Sequence, residues 1–277
     1  MNLLEACKIL LRGMSQVMLQ NNIFTGLLFF AGVFYSSWLM GTGAVVGAAV
    51  STYTAYILKY NSQDIENGLY GFNGILVGIA VLFFYELTPL TILLIIIGSV
   101  LSSLIMHSMH ERKLYPFTFP FVLSTWILIV IVKFTSLVPS KISEIVVANS
   151  LNIISSLAMS FSQVMFQPVI VTGILFFLGL VVSSRIVAVY ALIGPVFGMI
   201  LAYALSFPVD VINMGLFGYN GVLCGVVFAE KKVSSFFYAL LSIFFSVAIV
   251  YGFMAYNFAA LTAPFVFASW TVLFLKK

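Results

Sequence analysis

Charge is what this sequence has least of. Only 7% of its 277 residues are Asp, Glu, Lys or Arg, 62% are hydrophobic, and the mean hydropathy is +1.18. A soluble domain carries roughly 25% charged residues, because its surface has to be solvated. No stretch here is polar enough for that, so most of the surface must face lipid. The net charge of +4 is small and its residues are scattered. A nucleic-acid surface needs basic residues gathered on one face, so nucleic acid is excluded as a partner. Cys7 and Cys224 have neither CxxC nor metal-ligand spacing and read as small apolar residues. A pH-sensing role would fall on His107 and His110 near a loop, but neither has a counterpart in the second copy. The phosphate-binding loop of nucleotide-driven transporters is missing. No His/Asp/Glu cluster marks a hydrolytic or metal centre, so the chain is not expected to be an enzyme or to need a cofactor. Met1–Gln20 is amphipathic and passes straight into a long apolar run, so no cleavable leader is expected.

The acidic residues are also displaced from the apolar segments. Glu5, Asp64, Glu66, Glu86, Glu111, Glu144, Asp210 and Glu230 all fall at segment ends or in loops. Ion-coupled carriers and pumps place ionisable groups inside the membrane as relays or ion ligands. Their absence from the interior points to a small, neutral, polar solute moving without coupling.

What is present is present twice. Ser15-Gln16-Val17-Met18-Leu19-Gln20 recurs as Ser162-Gln163-Val164-Met165-Phe166-Gln167, 147 residues later. At the same offset Thr25-Gly26 meets Thr172-Gly173, and Gly47 meets Gly194. Gly68-Leu69-Tyr70-Gly71-Phe72-Asn73-Gly74 meets Gly215-Leu216-Phe217-Gly218-Tyr219-Asn220-Gly221. After a three-residue deletion, Thr118-Phe119-Pro120-Phe121 meets Thr262-Ala263-Pro264-Phe265, and Trp126 meets Trp270. Shared Leu and Phe could arise by chance between apolar helices, but Gln, Asn, Thr and Pro in one register could not.

Each copy contains five apolar runs: about 22–40, 43–59, 68–85, 88–108 and 117–136, then about 169–184, 187–206, 212–229, 234–253 and 260–275. Each is near the roughly 20 residues needed to cross a bilayer. Five is an odd number, so the second copy enters from the opposite side and the copies are inverted repeats, as in many transporters. The basic residues sort accordingly. Lys8, Arg12, Lys59, Arg112, Lys113, Arg185, Lys231, Lys232, Lys276 and Lys277 fall on one side, and only Lys133 and Lys141 on the other. The excess of positive charge predicts that both termini are cytoplasmic. Before each first run lies a stretch too short and polar to span, about 5–20 and 152–167, read as a re-entrant half-helix lining a cavity. A helix lying on the membrane surface is the alternative for the first. The fold class is thus an all-α polytopic membrane protein of two inverted repeats, 1–140 and 141–277, in one membrane domain. Each repeat holds five transmembrane helices and one re-entrant half-helix.

Polar residues repeated in both copies are the candidate site. Gln16 and Gln163 each offer an amide donor pair and a carbonyl acceptor, suited to a solute carrying both kinds of group; a hydrogen bond between helices is the alternative. Thr118 and Thr262 stand two residues before Pro120 and Pro264, which open the last helix of each copy. Their hydroxyls, with carbonyls near a helix end, make a row of acceptors; helix capping is the alternative. Phe72 with Leu76, and Tyr219 with Leu223, are four residues apart on one helix face and form flat apolar walls or ordinary packing. Gly74/Gly78 and Gly221/Gly225 read as close helix packing, and Asn73 and Asn220 as braces between helices.

Together the paired Gly-Phe-Asn-Gly and Gly-Tyr-Asn-Gly segments, the Ser-Gln-Val-Met repeats and the two Thr-x-Pro-Phe segments resemble the urea transporter family, over about 10–275. The family signature Leu-Pro-x-x-Thr-x-Pro-Phe survives in its second half. Tyr115 replaces the first Pro, and Phe258 and Ala259 replace both leading residues in the second copy. The resemblance, read as that of a bacterial member, implies channel-like diffusion of urea down its gradient across the inner membrane. Pores for ammonia, water or short amides on the same scaffold are the alternative. It implies a homotrimer in the lipid bilayer with one pore per protomer, no cofactor and no metal. It also implies outer solute sites walled by Phe72, Leu76, Tyr219 and Leu223, a narrow middle at Thr118 and Thr262, and ends at Gln16 and Gln163. Tyr219 stands where the family pattern has Phe.

Overall fold

A computed structural model of the chain describes residues 2–141, 148 and 150–276; Glu144 and Lys277, which enter the charge pattern above, lie outside the described residues. The chain divides into two compact units, Met1–Ser143 and Glu144–Lys277. The first holds α1 (Leu3–Gln16), α2 (Ile23–Ser36), α3 (Trp38–Ile57), α4 (Ser62–Glu66), α5 (Gly71–Phe84), α6 (Pro89–Glu111) and α7 (Phe119–Thr135). The second opens with α8 (Ile153–Ser162), which tightens into a 3-10 turn over Gln163–Met165. It continues with α9 (Ile170–Ser183), α10 (Arg185–Ala204), α11 (Val209–Asn213), α12 (Tyr219–Val227), α13 (Val233–Ala255) and α14 (Ala263–Leu275). No strand occurs among the described residues.

Every one of the ten apolar runs contains a helix, and in six of them (α2, α5, α7, α9, α12 and α14) the helix is shorter than the run. Helices α6, α10 and α13, of 23, 20 and 23 residues, are long and apolar enough to cross a membrane. Helices α8 and α9 form an apolar pair bent by 77°, a broken span or a re-entrant loop. Helices α2 and α5 have only 14 residues each. At 1.5 Å per residue each is about 21 Å long, short of a hydrocarbon layer about 30 Å thick. The run 212–229 is the most divided: it is interrupted by a turn at Gly215 (φ 73°), and α12 keeps only 9 residues. The five-residue helices α4 and α11 are not visible in the apolar pattern.

The two units repeat each other in backbone conformation as well as in sequence. Five left-handed positions recur in register: Leu19 and Phe166 (φ 58° and 59°), Lys59 and Ser206 (56° and 57°), Gly68 and Gly215 (75° and 73°), Lys113 and Asn257 (55° and 49°), and Phe117 and Leu261 (45° and 50°). Close helix packing recurs too. A Cβ placed on Gly78 would strike the Gly43 carbonyl, and one on Gly225 the Tyr190 carbonyl. Backbones of α3 and α5, and of α10 and α12, therefore touch directly, the arrangement that small residues permit between helices in lipid.

Apolar side chains cover the outside. Leu90, Leu93, Ile96, Ile97 and Leu104 of α6 are exposed. Leu178 and Val182 of α9 and Phe237, Leu241 and Phe244 of α13 are exposed as well. Surfaces of this kind belong in lipid rather than water. Ionisable groups stay away from them. Among the described residues no Asp, Glu, Lys or Arg lies more than a turn inside α2, α3, α5–α7, α9, α10 or α12–α14. Glu230, in the connection between α12 and α13, is drawn below the ordinary carboxylate range by its bond with Lys232 and the charge of Lys276. Those ammonium groups stand 3.3 and 3.7 Å away.

Candidate functional site

The glutamines sit where the short helices end. In the first unit α1 stops at Gln16, and the chain reverses through Leu19 in the left-handed region. In the second unit the same reversal passes through Gln163–Met165 and Phe166. The reversal is pinned by a second glutamine. Gln20 N–H donates to the Ser15 carbonyl (3.1 Å) and its Nε2 to the Met18 carbonyl (2.9 Å). Gln167 repeats both bonds, to Ser162 (3.1 Å) and Met165 (2.6 Å). Gln20 and Gln167 are therefore structural, and their recurrence in the Ser-Gln-Val-Met-x-Gln segments is the only sequence signal of that role.

Gln16 and Gln163 differ. Both side chains are largely buried. Gln16 Nε2 donates to the Asn67 carbonyl at 3.1 Å, tying the end of α1 to the turn before α5. Among the described residues the Gln163 amide has no hydrogen-bond partner within the protein. Each α1- or α8-type helix end is held against that turn by backbone contact. A Cβ on Gly68 would strike the Gly13 nitrogen, and one on Gly215 the Ser160 nitrogen. Both glycines have positive φ, so the turn needs glycine for conformation and for space.

The turn delivers the chain into α5 or α12, whose first residues carry the expected walls. Phe72, Leu76 and Leu223 are buried, while Tyr219 is half-buried. Asn73 and Asn220, the next residues along, reach the last helix of their own unit. Asn73 Oδ1 accepts from Phe121 N–H at 3.1 Å, and Asn220 Oδ1 from Phe265 N–H at 3.0 Å. The amide ends are used less: Asn73 Nδ2 approaches Met106 Sδ at 3.9 Å, and among the described residues Asn220 Nδ2 has no hydrogen-bond partner. Through these bonds each unit brings Phe72 or Tyr219 beside the start of α7 or α14, where Thr118 and Thr262 stand.

Thr118 and Thr262 occupy the N-cap positions of α7 and α14 and are buried, but neither hydroxyl caps its helix. Immediately before each stands a left-handed residue, Phe117 or Leu261. The Tyr219 hydroxyl donates to the Leu261 carbonyl at 2.5 Å, a bond that Phe72 has no hydroxyl to reproduce. Where sequence reasoning left the Tyr219 hydroxyl without an assignment, its partner is thus a main-chain oxygen adjacent to Thr262.

His107 and His110 lie at the far end of α6. The His107 ring stacks on Tyr60 at 3.6 Å between centroids, and its Nδ1 is 3.3 Å from the Tyr70 hydroxyl. His110 Nε2 is 3.5 Å from Asp64.

Each unit therefore assembles an amide at a helix end, an aromatic and a leucine on a helix face, and a buried threonine. No charged side chain belongs to either set. The urea transporter family model matches residues 7–277. Urea transporter 1 of Rattus norvegicus is 28% identical over 238 residues, spanning 77% of this chain and 60% of that protein. Urea transporter 1 of Mus musculus is 27% identical over 235 residues, and that of Ovis aries 28% over 234, with the same coverage. The chain therefore spans about 60% of the length of these curated relatives. With the family match extending over almost all of its residues, the chain belongs to the urea transporter family.

Proposed function

We propose that this protein is a passive channel that lets urea cross the membrane down its gradient, without an ion gradient, ATP or a cofactor. The observation that carries this reading is the duplicated set of uncharged polar groups beside α5, α7, α12 and α14, helices in which no Asp, Glu, Lys or Arg lies more than a turn from an end. Urea enters a narrow apolar slot only if its N–H and C=O groups are met there, because each polar group left unpaired in such surroundings costs about 2–7 kcal/mol. Thr118 and Thr262, with nearby main-chain carbonyls, supply oxygens for its N–H donors. Gln163 and Gln16 offer amide groups for either end of the solute. Phe72, Leu76, Tyr219 and Leu223 form the apolar walls that suit a planar molecule. With no ionisable group to bind or relay an ion, nothing couples the movement to another gradient. The role is transport and not catalysis, and family membership supports urea as the cargo.

The wider assignment is part of the same reading. The repeats 1–140 and 141–277 cross the membrane with opposite topology, each with five spans and a half-helix. This is supported by the odd number of apolar runs and by the sorting of basic residues. Both termini are cytoplasmic, in the inner membrane of a bacterial cell. The protein is a homotrimer with one pore per protomer, as the family resemblance implies.

Proteoliposomes containing the full chain test the reading directly. Labelled urea should equilibrate faster than in empty liposomes, with no sodium, proton or ATP requirement. Thr262→Val and Gln163→Ala should each lower the flux per folded protein. A sodium or proton requirement would sink the channel reading, and normal flux in both variants would remove the site assignment. Faster passage of water or ammonia than of urea would favour the other small-solute pores.

A further inference from the structure

Helix α1 is amphipathic. Glu5, Lys8 and Arg12 follow one another at i, i+3 and i+7 and share a face. These three side chains and Glu66 of α4 line a cavity of about 380 Å³, within the range of sites for small molecules. A second cavity, of about 270 Å³, shares the walls Ile9, Tyr56 and Ile65 with the first and has no charged side chain. It follows α3 from Tyr56 back through Tyr53 to Ala49, about 10 Å along the helix axis and into the apolar run 43–59. Tyr53 and Tyr56 are exposed, as tyrosines are where the headgroup region of a bilayer meets its hydrocarbon. A charged mouth thus stands beside an apolar recess at the level of the membrane surface.

The fold does not need these charges. In the second unit the same register places Asn152, Ser155, Met159 and Asn213 where the first has Glu5, Lys8, Arg12 and Glu66. There the helix and the turn close directly on each other. Asn152 N–H donates to Asn213 Oδ1 at 2.8 Å, and the Ser155 hydroxyl to the Asn213 carbonyl at 3.1 Å. Arg12 makes the matching contact in the first unit, its Nη1 donating to the Glu66 carbonyl at 2.9 Å. A neutral hydroxyl suffices for that bond. Nor do the four charges neutralise one another: the ion pairs among the described residues are those of His110 with Asp64 and of Glu230 with Lys232 and Lys276.

We propose that the first unit holds one phospholipid with an ethanolamine headgroup at this place. Its phosphate lies on Lys8 and Arg12, its ammonium on Glu5 and Glu66, and an acyl chain runs along α3 past Ile9 and Tyr53 towards Ala49. Basic pockets at the membrane surface take anionic headgroups, but two carboxylates line this one, so a plain anion would be attracted and repelled in equal number. A headgroup carrying both signs satisfies all four side chains. Carboxylates bind most strongly to N–H donors, which a choline headgroup lacks, and a serine headgroup would bring a third carboxylate against Glu5 and Glu66. The apolar recess in turn requires a chain and not a free headgroup. The proposal goes beyond the transport reading and is independent of which solute passes.

The test titrates the full chain, stripped of lipid in detergent, with phosphatidylethanolamine, phosphatidylglycerol or phosphatidylcholine. Native mass spectrometry counts the lipid retained per protomer, and the unfolding midpoint follows its binding. One phosphatidylethanolamine should be retained at a concentration about three- to tenfold below that needed for either other lipid, the effect of charge-assisted bonds at a partly exposed site. Free phosphoethanolamine should not bind in the same range. Lys8→Ala should raise the half-saturating concentration of phosphatidylethanolamine by about three- to tenfold. Glu66→Gln leaves two cations against one carboxylate and should turn the preference towards phosphatidylglycerol, a change that a merely structural glutamate would not produce. Ala49→Phe, at an exposed position of α3, fills the recess and should abolish retention of all three lipids. Lys8 and Glu66 are exposed too, so the two charge variants keep the test open should Ala49→Phe not fold. Equal retention of the three lipids, unchanged in Lys8→Ala and Glu66→Gln, would overturn the proposal, as would free phosphoethanolamine binding as tightly as the lipid. A lipid-free oligomer that falls apart in Ala49→Phe would overturn it as well, by showing that a second copy of the chain covers this face. Urea flux is not the readout, so failure here leaves the channel reading untouched.

Discussion

The hydroxyl of Tyr219 is 2.5 Å from the backbone carbonyl of Leu261, the residue that precedes Thr262. The bond joins the first residue of α12 to the turn before α14. At the matching place in the first unit, Phe72 holds the same position with an apolar ring and the turn at Phe117 adopts the same left-handed conformation. The tyrosine is therefore a support for one of two otherwise similar turns. Tyr219→Phe should leave the fold and urea flux in place while lowering stability by about 1–2 kcal/mol, because Leu261 is buried and its carbonyl would lose a partner. A thermal unfolding curve in detergent reads this; an unchanged midpoint would show that the bond contributes nothing.

Direct backbone contact makes the helix pairs intolerant of a single methyl group. A Cβ on Gly47 would run into the Gly74 carbonyl, and neither is a flexible side chain that can move aside. Gly47→Ala should push α3 and α5 apart and cost several kcal/mol, typical of overpacking with a backbone shift. Gly252 supplies the control, since a Cβ there meets nothing within 4 Å. Gly252→Ala lies inside α13 and should be neutral or stabilising by up to about 1 kcal/mol, from helix propensity. Folded yield and unfolding midpoint should fall in Gly47→Ala and hold or rise in Gly252→Ala. A Gly47→Ala protein as stable as the parent would contradict the contact.

Lys141 has a structural job that its place in the charge pattern does not reveal. Its Nζ donates to the Leu82 carbonyl at 2.7 Å and its N–H to the Phe84 carbonyl at 2.8 Å, in the last turn of α5. Carbonyls at a helix end lack intrahelical partners and attract positive charge. Lys141→Met keeps the stem and removes the ammonium, so it should cost about 0.5–2 kcal/mol. The loss should shrink little in high salt, since a direct bond at a half-buried group is screened weakly. A loss abolished by salt would mean the contact is only surface attraction.

How much of this was legible beforehand depended on distance along the chain. The register between copies was readable because Gln, Asn, Thr and Pro recur at fixed offsets, and the bracing role read for Asn73 and Asn220 appears as the bonds to Phe121 and Phe265. Helix ends were not readable. In a run where nearly every residue is apolar, periodicity carries no stop signal, and the stops are made by bulky residues in the left-handed region. Leu19 and Phe166 do this after α1 and α8, and Phe117 and Leu261 set the turns before α7 and α14, without a glycine or asparagine to announce it. The five-residue helices α4 and α11 escaped because they are too short to show a helical period. Partners across 40 or more residues, such as Tyr219 with Leu261 or Gln16 with Asn67, follow only from tertiary packing. Sequence identity between Gln16 and Gln163 therefore concealed a difference in what each is bonded to.

That difference yields the sharpest separation between structure and transport. Gln16 Nε2 fastens the end of α1 to the Asn67 carbonyl, so Gln16→Ala removes a tertiary bond and leaves an acceptor to find another partner. It should lower stability by about 1 kcal/mol and reduce flux in part through the displaced helix end. Gln163 has no such bond among the described residues, so Gln163→Ala leaves no protein group unpaired. Its unfolding midpoint should match that of the parent. Its urea flux should nevertheless fall by about three- to tenfold if the amide meets the solute, the effect of one hydrogen bond lost along the path. Gln163→Glu extends the comparison. It keeps the shape and an acceptor but introduces a charge, and burying that charge beside an apolar wall is costly unless it is paired. Flux should therefore drop at neutral pH and recover as the medium is acidified and the carboxyl takes up a proton. Flux in Gln163→Glu that did not vary with pH, together with normal flux in Gln163→Ala, would place this glutamine outside the path altogether.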